Sequence, residues 1–478
     1  MHPIRPDRRW PLHDIATTRQ IEQAAAAALP PHTLMERAGL AVARLALALA
    51  PHARRIWIAC GPGNNGGDGL EAAMHLQRWG KAPQLTWLGD EGKAPADALA
   101  SLQRARQAGV AFGAAPPPDW DFAIDALLGI GGARSPQGRM AEWIAALNSG
   151  GQSVLAVDVP SGLDADTGNG AAVRATHTLS LLTLKRGLFT AHGRDAAGAI
   201  WFDELGLLPG TGDGAPTAWL SSPAAASTRL HASHKGSYGD VAVIGGAPGM
   251  AGAALLAGSA ALHGGAGRVF VGLLDADTLK VDSAQPELML RPWDSLDLGA
   301  MSVACGCGGG EAVRAALPKV LSTARALVLD ADALNAVAAD PQLQLQLKAR
   351  AGRGRATVIT PHPLEAARLL GSSAAQVQAD RLAAARELAQ RFSCVAVLKG
   401  SGSITAGPGE VPLVNFTGNA RLATAGTGDV LAGMVAARLA QGRDAMRAAS
   451  EAVHAHGACA DRWPDGEPLT AGELARRA

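Results

Sequence analysis

Short apolar runs alternate with helical patterns through the first half of the chain. Two segments before them, 19–29 and 34–50, have the composition of helices. The apolar runs are four to eight residues long, which is the length expected of buried strands. This alternation is typical of a parallel sheet covered by helices on both faces, so it predicts an α/β domain. The runs fall at 56–60, 84–88, 122–128, 154–159, 176–183 and 199–202.

The second half of the chain shows a similar alternation without an obvious repeat of the first. Between the halves, proline and glycine accumulate among alanine and serine, as is typical of a linker. A chain of 478 residues has room for two or three domains of roughly 150 residues each. We predict a first domain over 1–208, a linker over 209–225 and a second α/β domain over 226–478. The second set of apolar runs falls at 241–244, 268–271, 326–329, 357–359 and 395–398.

Composition and charge argue against several classes of function. Hydrophobic residues make up 48% of the chain, charged residues 18%, and the formal net charge is +1, which fits a globular protein with large cores. This balance favours neither nucleic acid nor an anionic membrane as a partner. Because the chain has no long uncharged apolar run and no signal-peptide pattern, we expect a cytoplasmic protein. The five cysteines are scattered and do not predict a disulfide framework.

A glycine-rich segment, 61–69, directly follows the first apolar run. Its five glycines let the backbone approach a ligand closely, and two asparagines and an aspartate supply polar groups at the start of a helix. We expect Gly67-Asp68-Gly69 to delay that helix and to keep polar side chains facing a ligand with phosphates or a nucleotide. The segment also contains the spacing Gly-x-Gly-x-x-Gly. A dehydrogenase fingerprint and a purely structural turn therefore remain alternatives.

The most specific segment of the second half is 423–433. Backbone N–H groups from Gly426 to Gly428 would form an anion hole for a transferring phosphoryl group at the start of a helix. Asp429 follows in the first turn, where a carboxylate can take a proton from a substrate hydroxyl. The structural alternative is a capped helix start whose small residues, Gly433 included, permit close packing.

Further segments of the second half support the chemical interpretation of Asp429. They are His234-Lys235-Gly236-Ser237-Tyr238-Gly239, Gly245-Gly246, Gly249-Met250-Ala251-Gly252-Ala253, Asp330-Ala331-Asp332-Ala333-Leu334-Asn335 and Thr360-Pro361-His362. The Gly-x-Gly-Asp helix start resembles that of the ribokinase-like family of ATP-dependent kinases, in which it carries the catalytic base. Together, the segments resemble the ADP/ATP-dependent NAD(P)H-hydrate dehydratases of that family.

The first half carries motifs of a second family. They are Leu34-Met35-Glu36-Arg37-Ala38-Gly39, the glycine-rich segment, Asp125-Ala126-Leu127-Leu128-Gly129 and Val157-Asp158-Val159-Pro160-Ser161-Gly162. These motifs resemble the NAD(P)H-hydrate epimerase domain. The order of the two halves is that of the bifunctional NAD(P)H-hydrate repair enzymes, and the resemblance extends from about Arg19 to the end of the chain. It implies a Rossmann-like parallel-sheet domain followed by a ribokinase-like α/β domain.

The resemblance implies two activities. The first domain would interconvert the R and S epimers of hydrated NADH and NADPH, and the second would use ADP or ATP to dehydrate the S epimer. Asp429 would be the base of the dehydratase. Asp158, which ends an apolar run, is the acid/base candidate of the epimerase, with a simple cap of the turn at 160–162 as the alternative.

The resemblance also implies the binding residues. The epimerase substrate would contact Asn64, Asn65, Gly66, Gly67, Asp68, Gly129, Ile130, Gly131, Gly132, Ala133, Arg134 and Asp158. The dehydratase substrate would contact Ala253, Gly310, His362 and Asp429. The adenine nucleotide would contact Lys399, Gly400, Ser401, Gly402, Ser403 and Gly428.

Two metal ions are implied in the same way. Asn65, Asp125 and Ser161 would bind potassium, a hard cation suited to oxygen ligands. Glu365 would order magnesium and its waters. Small-molecule substrates are the expected partners, and a homo-oligomer is expected.

Two segments depart from the family pattern. The family's usual Gly-Pro-Gly-Leu-Gly is Gly306-Cys307-Gly308-Gly309-Gly310 in this chain, and the usual Gly-Thr-Gly is Gly129-Ile130-Gly131. The outer glycines are kept, but the threonine hydroxyl is lost from the epimerase site. Two functions of other classes stay open at this point. They are a small-molecule hydroxyl kinase with an accessory nucleotide domain, and a non-catalytic binding module.

Overall fold

The computed structural model describes residues 1–131, 135–207, 214–224, 229–275 and 279–477. The chain divides into two compact units. Unit 1 comprises Met1–Arg5 and Trp10–Ala218, and unit 2 comprises Pro6–Arg9 and Trp219–Ala478. Across the described ranges, none of the helices has both the length and the apolar character required to cross a membrane.

The described part of unit 1 is built on one large sheet. Its strands are β1 (His2–Pro3), β2 (Pro11–His13), β3 (Arg55–Cys60), β4 (Ala82–Trp87), β5 (Ala111–Gly113), β6 (Phe122–Ala126), β7 (Val154–Val157), β8 (His177–Leu181), β9 (Leu184–Lys185) and β10 (Ala199–Asp203). Its helices are α1 (Ile15–Ala27), α2 (Thr33–Leu49), α3 (Asn64–Arg78), α4 (Ala96–Gln107), α5 (Arg139–Ser149) and α6 (Gly193–Ala196). The large sheet has the order β1-β10-β8-β7-β6-β3-β4-β5. Its strands pair in parallel, except that β1 is antiparallel to β10. Strands β2 and β9 lie outside this sheet and pair in parallel with each other.

Strand β3 explains why the first apolar run is continuous rather than alternating. Successive side chains of a strand point to opposite faces of the sheet. Ile56 and Ile58 pack into a buried cluster with Leu70 of α3, whereas Trp57 packs into a second cluster with Trp143 of α5. Both faces of β3 are therefore covered, as is usual in a parallel sheet.

The described part of unit 2 contains a longer sheet. Its strands are β11 (Ala218–Leu220), β12 (Asp240–Gly245), β13 (Arg268–Leu273), β14 (Met289–Leu290), β15 (Ser302–Cys305), β16 (Ala326–Leu329), β17 (Thr357–Ile359), β18 (Val395–Leu398), β19 (Ile404–Ala406) and β20 (Leu413–Val414). Its helices are α7 (Ala251–His263), α8 (Val313–Thr323), α9 (Ala331–Ala339), α10 (Pro341–Ala349), α11 (Pro363–Leu370), α12 (Ala374–Ala379), α13 (Arg381–Phe392), α14 (Thr427–Ala440), α15 (Ala445–Asp461) and α16 (Ala471–Arg476). The strand order is β14-β13-β12-β15-β16-β17-β18-β19-β20-β11. Strands β12 to β18 form a parallel ladder, and β19 is antiparallel to both β18 and β20.

Helix α14 lies close against α7 in the core of unit 2. A Cβ atom at Gly433 would lie 2.1 Å from the carbonyl oxygen of Ala257, so only glycine allows the two backbones to approach this closely. Val430 and Val435 of α14 belong to the same buried cluster as Val243 of β12. Gly433 therefore has the expected packing role, and the same helix carries Asp429 in its first turn.

The expected fold class is confirmed, because both units are α/β with parallel sheets. Strand β15 was not among the predicted strands. Its sequence, Ser-Val-Ala-Cys, is short and rich in small residues, although all four residues are buried. Within the segment expected as a linker, β11 pairs with β20, with Trp219 opposite Leu413. The boundaries at 208 and 226 stay predictions.

Candidate active sites

Unit 1 contains a cavity of about 760 Å³ beside the glycine-rich turn. Residues from the ends of β6 and β7 line it together with the start of α3, which agrees with the rule that ligands bind outside the carboxyl ends of parallel strands. Of the residues expected to contact the epimerase substrate, the cavity is lined by Asn64, Asn65, Asp68, Gly129, Ile130, Gly131 and Asp158. Gly132, Ala133 and Arg134 lie outside the described residues.

The glycine-rich turn does not delay the helix, so that expectation is wrong: α3 begins at Asn64. Gly66 and Gly67 lie inside its first turns and pack inward. A Cβ atom at Gly66 would lie 2.0 Å from the carbonyl oxygen of Gly61, and one at Gly67 would lie 2.7 Å from the Met35 side chain. The glycines are tolerated in the helix because they permit these close approaches, and tertiary packing outweighs their low helix propensity.

Asp158 forms a buried ion pair with a lysine that the sequence did not assign to the site. The Lys185 ammonium donates hydrogen bonds to the Asp158 carboxylate and to the carbonyl oxygens of Leu181 and Thr183. The Lys185 side chain is 1% exposed and that of Asp158 12% exposed. Asp158 follows β7 and has a φ of 68°, in the left-handed region that non-glycine residues rarely adopt.

Asp125, not Asp158, accepts the hydrogen bond from the backbone of the turn at 160–162. The Ser161 N–H lies 2.8 Å from Asp125 Oδ2. The simple capping role considered for Asp158 is therefore absent at this N–H, and its carboxylate is turned toward Lys185. The only sequence feature near Lys185 was its place in a Lys-Arg-Gly segment, which by itself indicates nothing about a contact with Asp158.

Two further carboxyl groups of the cavity have raised pKa values. Burial, followed by the negative charge of Asp158, raises the pKa of Asp68 well above its usual value. The same two causes raise the pKa of Glu22, which α1 brings to the cavity wall. Sequence reasoning did not single out Glu22, because α1 had only the composition of an ordinary helix. The cavity thus combines a paired carboxylate with two carboxyl groups whose pKa values are raised.

Asp125 and Ser161 lie together at the rim expected to bind potassium. Ser161 Oγ donates to Asp125 Oδ1 over 2.6 Å, and the Leu127 N–H lies 3.2 Å from the same oxygen. Burial raises the pKa of Asp125 to about 6. Asn65 lies close to Gly129, where an added Cβ atom would be 3.0 Å from Asn65 Oδ1. The amide nitrogen of Asn65 is buried and has no hydrogen-bond partner among the described residues.

In unit 2, Asp429 lies in the first turn of α14, directly after the glycines. Gly426 is the N-cap residue, with a φ of 87° that favours glycine. The Asp429 and Asp330 carboxylates and the Cys307 thiol have oxygen or sulfur atoms that all lie within 4.8 Å of one another. Burial, then the charge of Asp330, raises the pKa of Asp429 to about 6. The structure therefore places a titratable carboxyl at the helix start that was expected to hold the base.

Lys399 links the expected nucleotide-binding turn to this carboxylate cluster. Its ammonium lies 2.6 Å from Asp330 Oδ1, and a Cβ atom at Gly428 would lie 3.3 Å from the ammonium nitrogen. Burial opposes the charged form, but Asp330 and Glu365 raise the pKa of Lys399 above its usual value. A permanent positive charge therefore faces the helix start that carries Asp429.

The tight connection between the antiparallel strands β18 and β19 contains the other residues expected to contact the nucleotide, Gly400, Ser401, Gly402 and Ser403. Ser403 Oγ donates to the carbonyl oxygen of Gly400 over 3.1 Å, which closes the turn. Gly400 and Gly402 have positive φ angles of 136° and 63°. Lys399 directly follows β18, so the turn begins at the carboxyl end of that strand.

Three of the expected dehydratase-substrate residues come after strands of the same sheet, Ala253 after β12, Gly310 after β15 and His362 after β17. The Gly310 N–H lies 2.8 Å from Asp332 Oδ2, and a Cβ atom at Gly308 would lie 2.9 Å from Ala253 Cβ. His362 caps α11, with its N–H donating to Glu365 Oε2 over 2.8 Å. Burial, followed by the charge of Lys399, lowers the pKa of His362. Burial raises the pKa of Glu365 to about 7.

Two family models match the chain in the order of the two units. The model described as YjeF-related protein N-terminus matches residues 31–187. The model described as NAD(P)H-hydrate dehydratase matches residues 241–476. The two matched ranges contain Asp158 and Asp429, respectively, together with most of the residues described above.

Similar proteins cover either nearly the whole chain or about half of it. The bifunctional NAD(P)H-hydrate repair enzyme Nnr of Escherichia coli is 36% identical, over 95% of this chain and 90% of that protein. The ADP-dependent (S)-NAD(P)H-hydrate dehydratase of Neisseria meningitidis is 44% identical, over 54% of this chain and 88% of that protein. A crystal structure of the ADP/ATP-dependent NAD(P)H-hydrate dehydratase of Bacillus subtilis, co-crystallized with ATP/Mg²⁺, is 31% identical over 54% of this chain and 92% of that chain, with a TM-score of 0.44. The chain therefore belongs to the family of bifunctional NAD(P)H-hydrate repair enzymes.

Proposed function

We propose that the chain restores NADH and NADPH from their hydrated forms, with unit 1 interconverting the R and S hydrates and unit 2 dehydrating the S hydrate. The observation that carries the dehydratase assignment is the position of Asp429, in the first turn of α14 and beside the Asp330–Lys399 pair. A hydroxyl kinase with an accessory domain is not favoured, because the chain matches bifunctional relatives over nearly all of its length.

The dehydration consists of phosphoryl transfer followed by elimination. Asp429 takes the proton of the substrate hydroxyl, and the hydroxyl oxygen forms a bond to the terminal phosphorus of ADP or ATP while the bond to the leaving nucleotide oxygen breaks. The lone pair of the ring nitrogen then expels phosphate. Loss of a proton from the neighbouring carbon restores the ring double bond.

Charge stabilisation in this step is assigned to the helix start and to Lys399. The N–H groups of Gly426 to Gly428 stand at the positive end of the α14 dipole, which favours the negative charge of a transferring phosphoryl group. The ammonium of Lys399 lies next to Gly428 and adds a full positive charge. The adenine nucleotide is assigned to the turn after Lys399, and the hydrated ring to Ala253, Gly310 and His362.

Epimerisation is assigned to reversible opening of the hydrated ring. The hydroxyl-bearing carbon is also bonded to the ring nitrogen, so removal of the hydroxyl proton allows the carbon–nitrogen bond to break and a carbonyl to form. Asp158 accepts that proton, and the protonated carboxyl of Asp68 donates a proton to the nitrogen. Reclosure on the other face of the carbonyl yields the opposite epimer. The Lys185 ammonium balances the negative charge of Asp158 before the proton is taken up and again after it is returned.

A potassium ion fits the donor set of unit 1. Asp125 supplies one buried carboxylate, and among the described residues no cationic side chain contributes to its pKa shift. Ser161 and Asn65 supply neutral oxygens, and the orientation of the Asn65 amide is not fixed by a hydrogen bond from its nitrogen. One carboxylate with neutral oxygens suits a singly charged ion, because divalent sites gather several carboxylates. The ion would neutralise Asp125 and orient the glycine-rich turn.

Magnesium does not fit Glu365 as a direct ligand. One oxygen of this carboxyl already accepts the backbone N–H of His362. Burial raises the pKa of Glu365 to about 7, and the nearby Lys399 ammonium already supplies it with a positive charge. We therefore propose magnesium only as the companion of the nucleotide phosphates. Neither the dehydration nor the epimerisation as proposed depends on magnesium. A cytoplasmic location and a homo-oligomeric state stay predictions.

The test is to incubate the protein with the separated R and S hydrates of NADH, with and without ADP or ATP. We expect the dihydronicotinamide absorbance to return from the S hydrate only with nucleotide, and from the R hydrate after epimerisation. Accumulation of a stable phosphorylated product would identify a kinase instead. Nucleotide binding without turnover of either hydrate would identify a binding module.

A further inference from the structure

A fully buried thiol lies beside the proposed base of unit 2. Cys307 follows β15 by two residues and is 0% exposed. Its sulfur lies within 4.8 Å of carboxylate oxygens of both Asp429 and Asp330. A thiol carries one weak donor, and carboxylates are acceptors.

The backbone around Cys307 is fixed by the neighbouring strand. Its carbonyl oxygen accepts the Gly246 N–H over 3.0 Å. A Cβ atom at Gly245 would lie 2.2 Å from the same oxygen, so the two backbones are in close contact. The backbone of Cys307 is therefore held against the end of β12.

The groups that face Asp429 divide into two sets. Asp330 and Asp332 favour the protonated form of Asp429, whereas Cys307 and Lys399 favour the ionised form. Lys399 is already bound to Asp330 at 2.6 Å. Burial raises the pKa of the Cys307 thiol well above its usual value, so the thiol keeps its proton and remains a donor.

We propose that Cys307 is a positioning residue for dehydration: its S–H donates to the Asp429 carboxylate and keeps that group ionised and oriented toward the substrate hydroxyl. This inference rests on the proposed role of Asp429 as the base. The family pattern noted above has proline at position 307, and proline carries no side-chain donor. The interaction is thus a property of this chain rather than one implied by the resemblance.

The test is the pH dependence of kcat/KM for dehydration of the S hydrate with ADP, measured on the full chain. Cys307→Ala removes the donor, and the acidic limb should move to higher pH by about half a unit to one unit, the equivalent of one hydrogen bond. Cys307→Ser carries a stronger hydroxyl donor, so its acidic limb should lie below that of the wild type. Cys305→Ala is the matched control, because Cys305 is an equally buried thiol two residues earlier, and only burial accounts for its raised pKa.

An unshifted acidic limb in Cys307→Ala, or an equal shift in Cys305→Ala, would overturn the inference. If Cys307→Ala does not fold, Cys307→Ser decides, since the stronger hydroxyl donor should then move the limb to lower pH, and an unchanged limb would overturn the inference. Asp429→Asn separates this outcome from failure of the proposed function. Near wild-type dehydration by Asp429→Asn would show that Asp429 is not the base. An inactive Asp429→Asn, together with an unshifted acidic limb in Cys307→Ala, would refute only the role of Cys307.

Discussion

The Lys185 ammonium donates a hydrogen bond to the Asp158 carboxylate, and both side chains line the cavity of unit 1. Two carbonyl oxygens hold the same ammonium in place, at Leu181 and Thr183. A buried pair of this kind makes each charge depend on the other, because removal of one partner leaves the other uncompensated away from water. The pair therefore couples the chemistry of the cavity to the stability of unit 1.

Lys185→Met is expected to abolish epimerisation and to destabilise unit 1 by about 3–5 kcal/mol, because Asp158 is left as an unpaired buried charge. Adding Asp158→Asn should restore part of the lost stability without restoring epimerisation. The measurements are denaturant unfolding and conversion of the R hydrate to the S hydrate. Lys93→Met is the control, since that side chain is 86% exposed. Equal destabilisation by the single and double variants would refute the coupling.

Sequence predicted the parts of the sites that depend on local order, and it missed those that depend on contacts between distant segments. Asp429 could be assigned because the local pattern Gly426-Thr427-Gly428-Asp429 already describes a helix start. The Asp158–Lys185 pair joins positions 27 residues apart, through a left-handed backbone at Asp158 that no pattern indicates. Cys307 was seen only as a departure from a family motif. Its place beside Asp429 depends on the packing of α14 near β15, the strand that Cys307 follows.

Asp429→Asn and Asp158→Asn are expected to have opposite effects on the two activities. The amide keeps the shape of the side chain but cannot accept the proton, so each variant should lose about 10²-fold or more in its own reaction. Asp429→Asn should still interconvert the hydrates, and Asp158→Asn should consume the S hydrate while the R hydrate accumulates. Both rates are read by chromatographic separation of the epimers. Loss of both activities in either variant would contradict the assignment of the activities to separate sites.

Asp429 is also expected to destabilise unit 2 at neutral pH. Its pKa in the folded protein is raised to about 6, above the unfolded value of about 3.9, so the folded state binds this proton more tightly. The stabilisation from the protonated form is fully present below about pH 4 and is lost as pH rises through 6. Asp429→Asn should therefore raise the stability of unit 2 at pH 8, by up to about 3 kcal/mol, and by much less at pH 4. Thermal unfolding at the two pH values provides the measurement, and an equal gain at both would argue against a raised pKa.

Potassium is expected to stabilise unit 1 through Asp125. Without the ion, the described residues offer this buried carboxylate only the Ser161 hydroxyl and backbone N–H groups as hydrogen-bond partners, so an added cation offsets an unbalanced charge. The melting temperature of the wild type should rise with potassium and less with sodium or a bulky organic cation at equal ionic strength, because only an ion that fits the oxygens binds the folded state.

Asp125→Asn removes the charge while keeping the shape, and it should abolish the potassium dependence and weaken epimerisation while leaving dehydration of the S hydrate intact. Asp119→Asn is the matched control, because Asp119 is an exposed carboxylate of the same unit. A potassium response that persists in Asp125→Asn would place the ion elsewhere, and equal responses to all three cations in the wild type would mean that ionic strength alone is at work.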